Sequence, residues 1–315
     1  MKKTIALWAA LTAAALMVTG CAAENPVAPV PRTPTASGGG ASAGGTAGDG
    51  AGDTAEAGGA GDTAEAGGAG AAAEAGGAGD KAPGAASAAA AAYRKWGLRP
   101  FAPPPAPPAT KPVVRPPGGP VPVISDIPTT EKIVFITIDD GAEKDPEFVT
   151  MMKDLKVPVT MFLTDAAIRG DYAYFAPLVA QGHGLANHTL THPNLRTLSQ
   201  DAQRREICGQ QTKLTQRYGK APRLLRPPYG NWNEATRAAA GECGVDAIVL
   251  WRESMQIKNM QYQRGDRKLH PGDIILAHFR GPSELKGRTM TEMTATMLRR
   301  IQEQGFTVAR LEDYV

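Results

Sequence analysis

Cysteine is scarce in this chain, with 3 in 315 residues. That is too few to build a disulfide scaffold. Apolar runs of membrane length are also lacking. The run at the start, from Ile5 to Val18, is too short for a comfortable span. Positive charge is missing from one whole stretch. Asp49, Asp53, Glu56, Asp62, Glu65, Glu74 and Asp80 occur there without a Lys or Arg between them. The rest of the chain is therefore more basic than the formal charge of +3. A mild basic excess favours an anionic surface but identifies no partner. No nucleic-acid module is visible, so no nucleic acid is expected as a partner. Core-forming residues are nearly absent from Pro26 to Pro120, where Pro, Ala, Gly, Ser and Thr dominate. Copies of Ala-Glu-Ala-Gly-Gly place Glu56, Glu65 and Glu74 nine residues apart. Such a segment buries too little apolar surface to offset the entropy of ordering, which predicts disorder. Ala85 to Trp96 could form a short helix. Arg99 to Pro122 should be stiff and extended.

The first residues read as a signal peptide over 1–20. Lys2 and Lys3 supply its positive start and Ile5 to Val18 its apolar body. Val18-Thr19-Gly20-Cys21 resembles the lipobox of bacterial lipoproteins. The resemblance implies a lipid on Cys21 and a chain held on the outer face of the bacterial cell membrane. A plain secretion signal cut near Ala22 or Ala23 would also export it. Residues 21–129 then form an Ala/Gly/Pro-rich disordered stalk, and 130–315 a folded domain. Cys208 and Cys243 could pair in an oxidising compartment or remain separate buried thiols.

From Lys132 onward, strand and helix signals alternate. Strands are expected over 132–139, 157–163, 184–187, 224–225, 247–251, 273–277 and 306–311. Helices are expected over 145–155, 172–181, 199–218, 234–240 and 290–304, with Pro146 near one start and Ser199 as a cap. This order predicts an α/β fold with a mostly parallel sheet and outer helices, open or closed into a barrel. Chemistry in such folds gathers beyond the carboxyl ends of the strands. Asp139, His188, Arg226 and His278 all fall there.

Asp139-Asp140-Gly141 ends an apolar strand. It can be a solvated turn, or two carboxylates aimed into one cleft. His188 and His192 are four residues apart and would face one way if the segment coils, as in other four-spaced histidine ligands. Two imidazoles and Asp140 would give a divalent metal three ligands and leave room for water. Mixed nitrogen and oxygen ligands admit Zn, Co, Ni, Mn or Fe. Arg226-Pro-Pro-Tyr-Gly230 is rigid. Arg226 could pair with Asp139, and the Tyr229 N–H could donate to a developing oxyanion. His278 is a candidate general acid, and Leu276, two residues earlier, could wall a small apolar pocket beside it. His183 and His270 lie in turn-like contexts outside this chemistry.

Thr137-Ile-Asp-Asp-Gly141, His188-Thr-Leu-Thr-His192-Pro193, Arg226-Pro-Pro-Tyr-Gly230 and Leu276-Ala-His278 together resemble the ordered motifs of the polysaccharide deacetylases, the NodB-homology carbohydrate esterases of family 4. The resemblance covers roughly 132–311. It implies a distorted or incomplete (β/α) barrel. It implies Asp139 as catalytic base, Asp140, His188 and His192 as metal ligands with zinc the first choice, Arg226 tuning Asp139, Tyr229 as oxyanion donor and His278 as acid. Leu276 and Trp251 resemble the lining of an acetyl-methyl pocket. The implied reaction is N-deacetylation of an amino-sugar polymer, with an acetylated cell-wall glycan such as peptidoglycan as substrate and a monomer as the working unit. O-deacetylation of xylan or peptidoglycan, and a wall-binding lipoprotein without turnover, are the competing readings. Two departures stand out. Ile138 replaces the usual Phe, and no Asp-Trp pair follows Trp251. Glu253 or Asp246 could take the place of that missing Asp.

Overall fold

A computed structural model describes residues 83–315. The signal peptide, Cys21 and the acidic repeats lie outside the described residues. Along the chain come α1 (Pro83–Lys95), β1 (Val123–Ile124), β2 (Ile133–Asp140), α2 (Pro146–Leu155), β3 (Thr160–Leu163), α3 (Asp165–Ile168), α4 (Ala176–Ala180) and β4 (Gly184–Asn187). They are followed by α5 (Gln200–Tyr218), β5 (Leu224–Leu225), α6 (Glu234–Glu242), β6 (Ala247–Val249), β7 (Glu253–Met255), β8 (Met260–Tyr262), β9 (Ile274–His278), α7 (Met290–Glu303) and β10 (Thr307–Val308).

The near-continuous apolar run of β2 marks a strand buried on both faces. It lies inside the sheet, parallel to β3 on one side and β9 on the other, with β10 pairing its first residues. The order is β1-β6-β5-β4-β3-β2-β9-β7-β8. Of the strand pairs among the described residues, only the β7–β8 hairpin is antiparallel. The curled sheet is an incomplete barrel with helices outside. Phe135, Phe162, Leu224, Val249 and Ile274 fill its concave side over Leu311 and Tyr314. Val134, Ile136 and Ile138, alternating with them along β2, meet Phe148, Met151, Met297 and Ile301 of the helical layer.

Local signals set several boundaries. Asp145 caps α2 with Pro146 at its first turn. Ser199 caps α5, which closes at Gly219 in the left-handed region, φ 68°. Inside α5 the buried positions include Gln203, Gln210 and Gln211 beside Ile207 and Leu214. The helix is thus fastened by amides as much as by an apolar stripe. Gln210 Nε2 donates to Leu163 O at 2.8 Å, and Gln211 Nε2 to Pro222 O at 2.7 Å. The predicted helix over 172–181 splits into a 3-10 turn, Tyr172–Phe175, and the short α4.

The stalk reading needs correction for 83–129. Composition places this stretch in a free stalk, yet it is packed onto the domain. The Tyr93 hydroxyl donates to Leu155 O at 2.9 Å, and Lys95 and Trp96 both reach Asp154. Leu98, Val113 and Val121 are buried. Lys111 Nζ donates to Glu312 O and Val315 O, and Val113 N–H to Tyr314 O. Arg115 donates to the carbonyls of Gly241 and Val245, and β1 joins the edge strand β6. A few well-spaced apolar and cationic residues do this, and an average over a Pro- and Ala-rich segment conceals them. The chain is extended here, as its prolines require, but held at many points.

A disulfide joins Cys208 of α5 to Cys243 at the end of α6. Of the two alternatives for these thiols, pairing is the one found. The β7–β8 hairpin has no counterpart among the expected strands, because three-residue strands carry too little alternation to read.

Candidate active site

Asp139 is the penultimate residue of β2 and His278 ends β9, and the two residues are register partners. Leu276 pairs Thr137 in the same ladder, so Leu276, His278, Thr137 and Asp139 share one face of the sheet. Asn187 ends β4 and pairs Leu225, which places His188 and Arg226 side by side one residue later. Parallel pairing thus gathers four strand ends at one rim.

Backbone strain completes the aim. Among the described residues, four of the seven non-glycine residues with positive φ, namely Asp140 (73°), Thr189 (70°), His192 (59°) and Tyr229 (61°), lie at these strand ends and loops. The turn at Asp140 swings its carboxylate toward the histidines. His188 and His192 do converge, but not by coiling into a helix. They sit on a loop shaped by the left-handed residues Thr189 and His192, with Asn187 Oδ1 taking the Thr189 N–H at 2.8 Å. Asn187 itself donates to Ile207 O and Gln211 Oε1 of α5. Glu206 accepts from the Thr191 N–H and hydroxyl, both at 2.8 Å.

The Asp140 carboxylate and the two rings offer donor atoms within 4.8 Å of one another. His188 Nε2 lies 3.5 Å and His192 Nε2 3.4 Å from Asp140 Oδ1. The His188 Nδ1 is 2.6 Å from Arg226 O. A carbonyl can only accept, so Nδ1 carries a proton, and in the neutral ring Nε2 turns its lone pair toward Asp140. That tautomer is the one a metal ligand needs. Burial alone would raise the Asp140 carboxyl. Hydrogen bonds from His188 and His192, with the charge of His188 and His278 when protonated, outweigh burial and hold it far below the usual carboxylate range. For His188, burial opposes the charged ring, but Asp139 and Asp140 together push it up. The cluster therefore attracts positive charge strongly, and its donor set fits a divalent cation.

Asp139 stands next to this set. Its Oδ1 accepts from Arg226 Nη1 at 2.7 Å, and its Oδ2 is 3.7 Å from His188 Nε2. Arg226 is wholly buried. Its remaining donors go to Thr137 Oγ1 at 2.8 Å, Val249 O at 3.0 Å and Leu250 O at 3.0 Å. The guanidinium also lies 4.3 Å from the Phe162 ring. Burial pulls the Arg226 guanidinium below its ordinary value, against the opposing pull of Asp139. Thr137, a polar interruption in an apolar strand, is a site residue that sequence reasoning passed over. Its hydroxyl also donates to Ile275 O at 2.8 Å.

His278 is half-buried. Burial lowers its imidazole below the ordinary value, while Asp139 and Asp140 pull the other way. No carboxylate braces it from behind among the described residues. Neither suggested substitute serves. Asp246 is bound to Arg223 at 2.5 and 2.6 Å, and Glu253 is buried beside Asp273 and 3.8 Å from Arg264. The backbone carbonyls of Val249 and Leu250 hold Arg226 instead.

Tyr229 is 65% exposed, and its ring packs edge-on to His192 at 4.9 Å. Gly230 N–H donates to Pro227 O and Asn231 N–H to Pro228 O, so the Tyr229 N–H takes no part in its own turn. Trp251 lies under this turn, where a Cβ on Gly230 would meet its ring at 3.0 Å. Leu276 is buried on the His278 side. The other two histidines stay outside the cluster. His183 is buried at the start of β4, and His270 pairs Asp266 at 3.0 Å.

The sequence model of the polysaccharide deacetylase family matches residues 126–248. An uncharacterised protein of Streptomyces coelicolor is 43% identical over 195 residues, spanning 62% of this chain and 77% of its own length. A peptidoglycan-N-acetylglucosamine deacetylase of Bacillus cereus is 26% identical over 201 residues, spanning 60% of this chain and 92% of its own. Among solved structures, a CE4 family pseudoenzyme from Bacillus anthracis superposes with a TM-score of 0.52 at 24% identity, over 61% of this chain and 68% of that one. The last likeness speaks for the fold.

Proposed function

Because this chain belongs to the polysaccharide deacetylase family, we propose that it removes N-acetyl groups from the amino sugars of a cell-wall glycan, peptidoglycan first among them. The observation that carries this reading is the pairing of two different carboxylates at one strand end. Asp140 lies within 3.5 Å of both imidazoles, while Asp139, 3.7 Å from His188 alone, is bound at 2.7 Å to a buried arginine.

Asp140, His188 and His192 would hold a divalent ion, zinc or else Co, Ni, Mn or Fe. Such an ion supplies a Lewis acid that acidifies a bound water and polarises the acetamide carbonyl. Asp139 is the base that takes the proton of the attacking water. Arg226 keeps its Oδ1 occupied and leaves Oδ2 facing the cleft. The Tyr229 N–H is a free donor for the oxyanion that develops at the carbonyl. His278, across the ladder from Asp139, gives a proton to the leaving amine. Leu276 and Trp251 would enclose the acetyl methyl.

One observation favours a second reading. An amine is a poor leaving group and depends on its acid, whereas an acetate ester depends on it less. With no carboxylate behind His278, O-deacetylation of xylan or peptidoglycan is the alternative. A wall-binding protein without turnover has less support, since binding alone needs no acid and base facing each other. The export signal and Cys21 lipid would tether the domain outside the cell membrane within reach of the wall. The test is incubation of the metal-loaded protein with acetylated chitooligosaccharide, peptidoglycan fragments and acetylxylan. Free amine from the first two supports N-deacetylation. Acetate from acetylxylan alone would turn the assignment to the esterase, and no release from any substrate would refute both.

A further inference from the structure

Asp140, the last residue of β2, still pairs Leu163 of β3, but His188 and His192 lie on a loop beyond β4, so strand pairing alone does not fix the separation of the two ligand-bearing turns. Asp140 and Gly141 are both left-handed, with φ of 73° and 88°. A Cβ on Gly141 would lie 2.9 Å from the Phe175 ring and collide with Ile168. The turn is therefore pressed against the α3–α4 side. One side chain gathers its carbonyls. Lys144 Nζ donates to Gly141 O at 2.9 Å and Ala142 O at 3.0 Å, and crosses to Ala167 O of α3 at 3.1 Å. An ammonium has three N–H groups, and these three acceptors use them all.

From α3 the connection continues to the histidine loop. Ala166 N–H donates to Leu190 O at 2.8 Å, and the buried Thr164 hydroxyl donates to the same oxygen at 3.3 Å. Leu190 lies midway between His188 and His192. Thr164 also gives its backbone N–H to Asp140 O at 3.2 Å. Helix α3 is 4 residues long and cannot hold its own geometry without such ties.

We propose that Lys144 and Thr164 are positioning residues, a brace through α3 that sets the distance between the Asp140 carboxylate and the His188–His192 pair and thereby the affinity and geometry for a divalent cation. The inference rests on the metal-binding role proposed for those three residues. Lys144 acts on the aspartate turn and Thr164 on both loops, and neither touches the cation or the substrate. Outer partners of ligands change metal affinity by about 10–100-fold when removed.

The test uses the full-length chain stripped of metal. Zinc affinity is measured by competition with a chromophoric chelator, and coordination geometry by the visible spectrum of the cobalt form. K144M, which keeps length but loses the ammonium, is expected to weaken zinc binding about 10-fold or more and to alter the cobalt bands. T164V should weaken it several-fold, and T164S, which restores the hydroxyl, should bind as the parent does. Far-UV circular dichroism of each metal-free variant checks that it has folded, and if K144M does not fold, the T164V and T164S pair decides. Parental affinity and an unchanged cobalt spectrum in both K144M and T164V would overturn the brace alone. A parent chain that binds no divalent ion would overturn the metal reading with it.

Discussion

Glu253 should make this protein lose stability as the pH rises through neutrality. Its side chain is completely buried, and neither carboxyl oxygen has a hydrogen-bond donor among the described residues. Around it stand Asp273, Arg264, Arg252, Asp126 and His270, and Arg264 spends its closest contact, 2.6 Å, on Asp273. Burial first, and then the Asp273 carboxylate, push the Glu253 carboxyl up from 4.5 to about 9. A raised value means that the folded chain binds this proton more tightly than the unfolded chain does. The stabilisation is full below the unfolded value of 4.5, declines as pH rises, and is lost above about 9. Within that window one proton can change stability by about 1.4 kcal/mol per pH unit. From about pH 6 to about pH 8 the loss is at most about 3 kcal/mol, or roughly 6–12 °C in Tm for a domain of this size. Glu253→Gln keeps the shape, can donate its amide to Asp273 and does not titrate. Thermal melts followed by circular dichroism, on parent and variant across this range, should diverge by that amount, with the variant the flatter. The surrounding charges are common to both chains and cancel in the difference. Parallel curves would refute the claim that Glu253 holds a proton in the folded state.

Other consequences are equally open to measurement. Asp139→Asn should cut deacetylation by about 10²–10⁴-fold, the usual reach of a general base, while zinc binding measured by chelator competition stays within a few-fold. Replacing both Cys208 and Cys243 with Ser should lower the unfolding free energy by about 3–4 kcal/mol, from the 35-residue separation they close, read by urea denaturation of oxidised parent and variant. Tyr93→Ala should cost about 2–4 kcal/mol, because the ring is buried and its hydroxyl holds Leu155 O. A free stalk over 83–129 would instead leave urea stability unchanged.

Much of the site is legible in the sequence. Residues at the carboxyl ends of β2, β4, β5 and β9 are recognisable because each follows a short apolar run and is itself polar. Asp139, His188, Arg226 and His278 are such residues, and parallel pairing delivers them to one rim. Thr137 is harder to see, since a single Thr in a strand is ordinary on local grounds. Its meaning comes from Arg226, 89 positions away.

What the sequence determined by itself was local: the alternation of β and α, the caps at Asp145 and Ser199, the left-handed closure at Gly219, and which polar residues end which strands. These depend on neighbours within a few positions, and period, cap and turn chemistry record them. Tertiary structure decided the rest. It bound residues 83–122 to the domain, joined Cys208 to Cys243, set carbonyls rather than a carboxylate behind Arg226, and bent the histidine loop so that its rings meet. Each of these except the histidine loop joins groups tens to hundreds of residues apart. No short window carries both partners, and only packing of the whole sheet brings them within bonding distance.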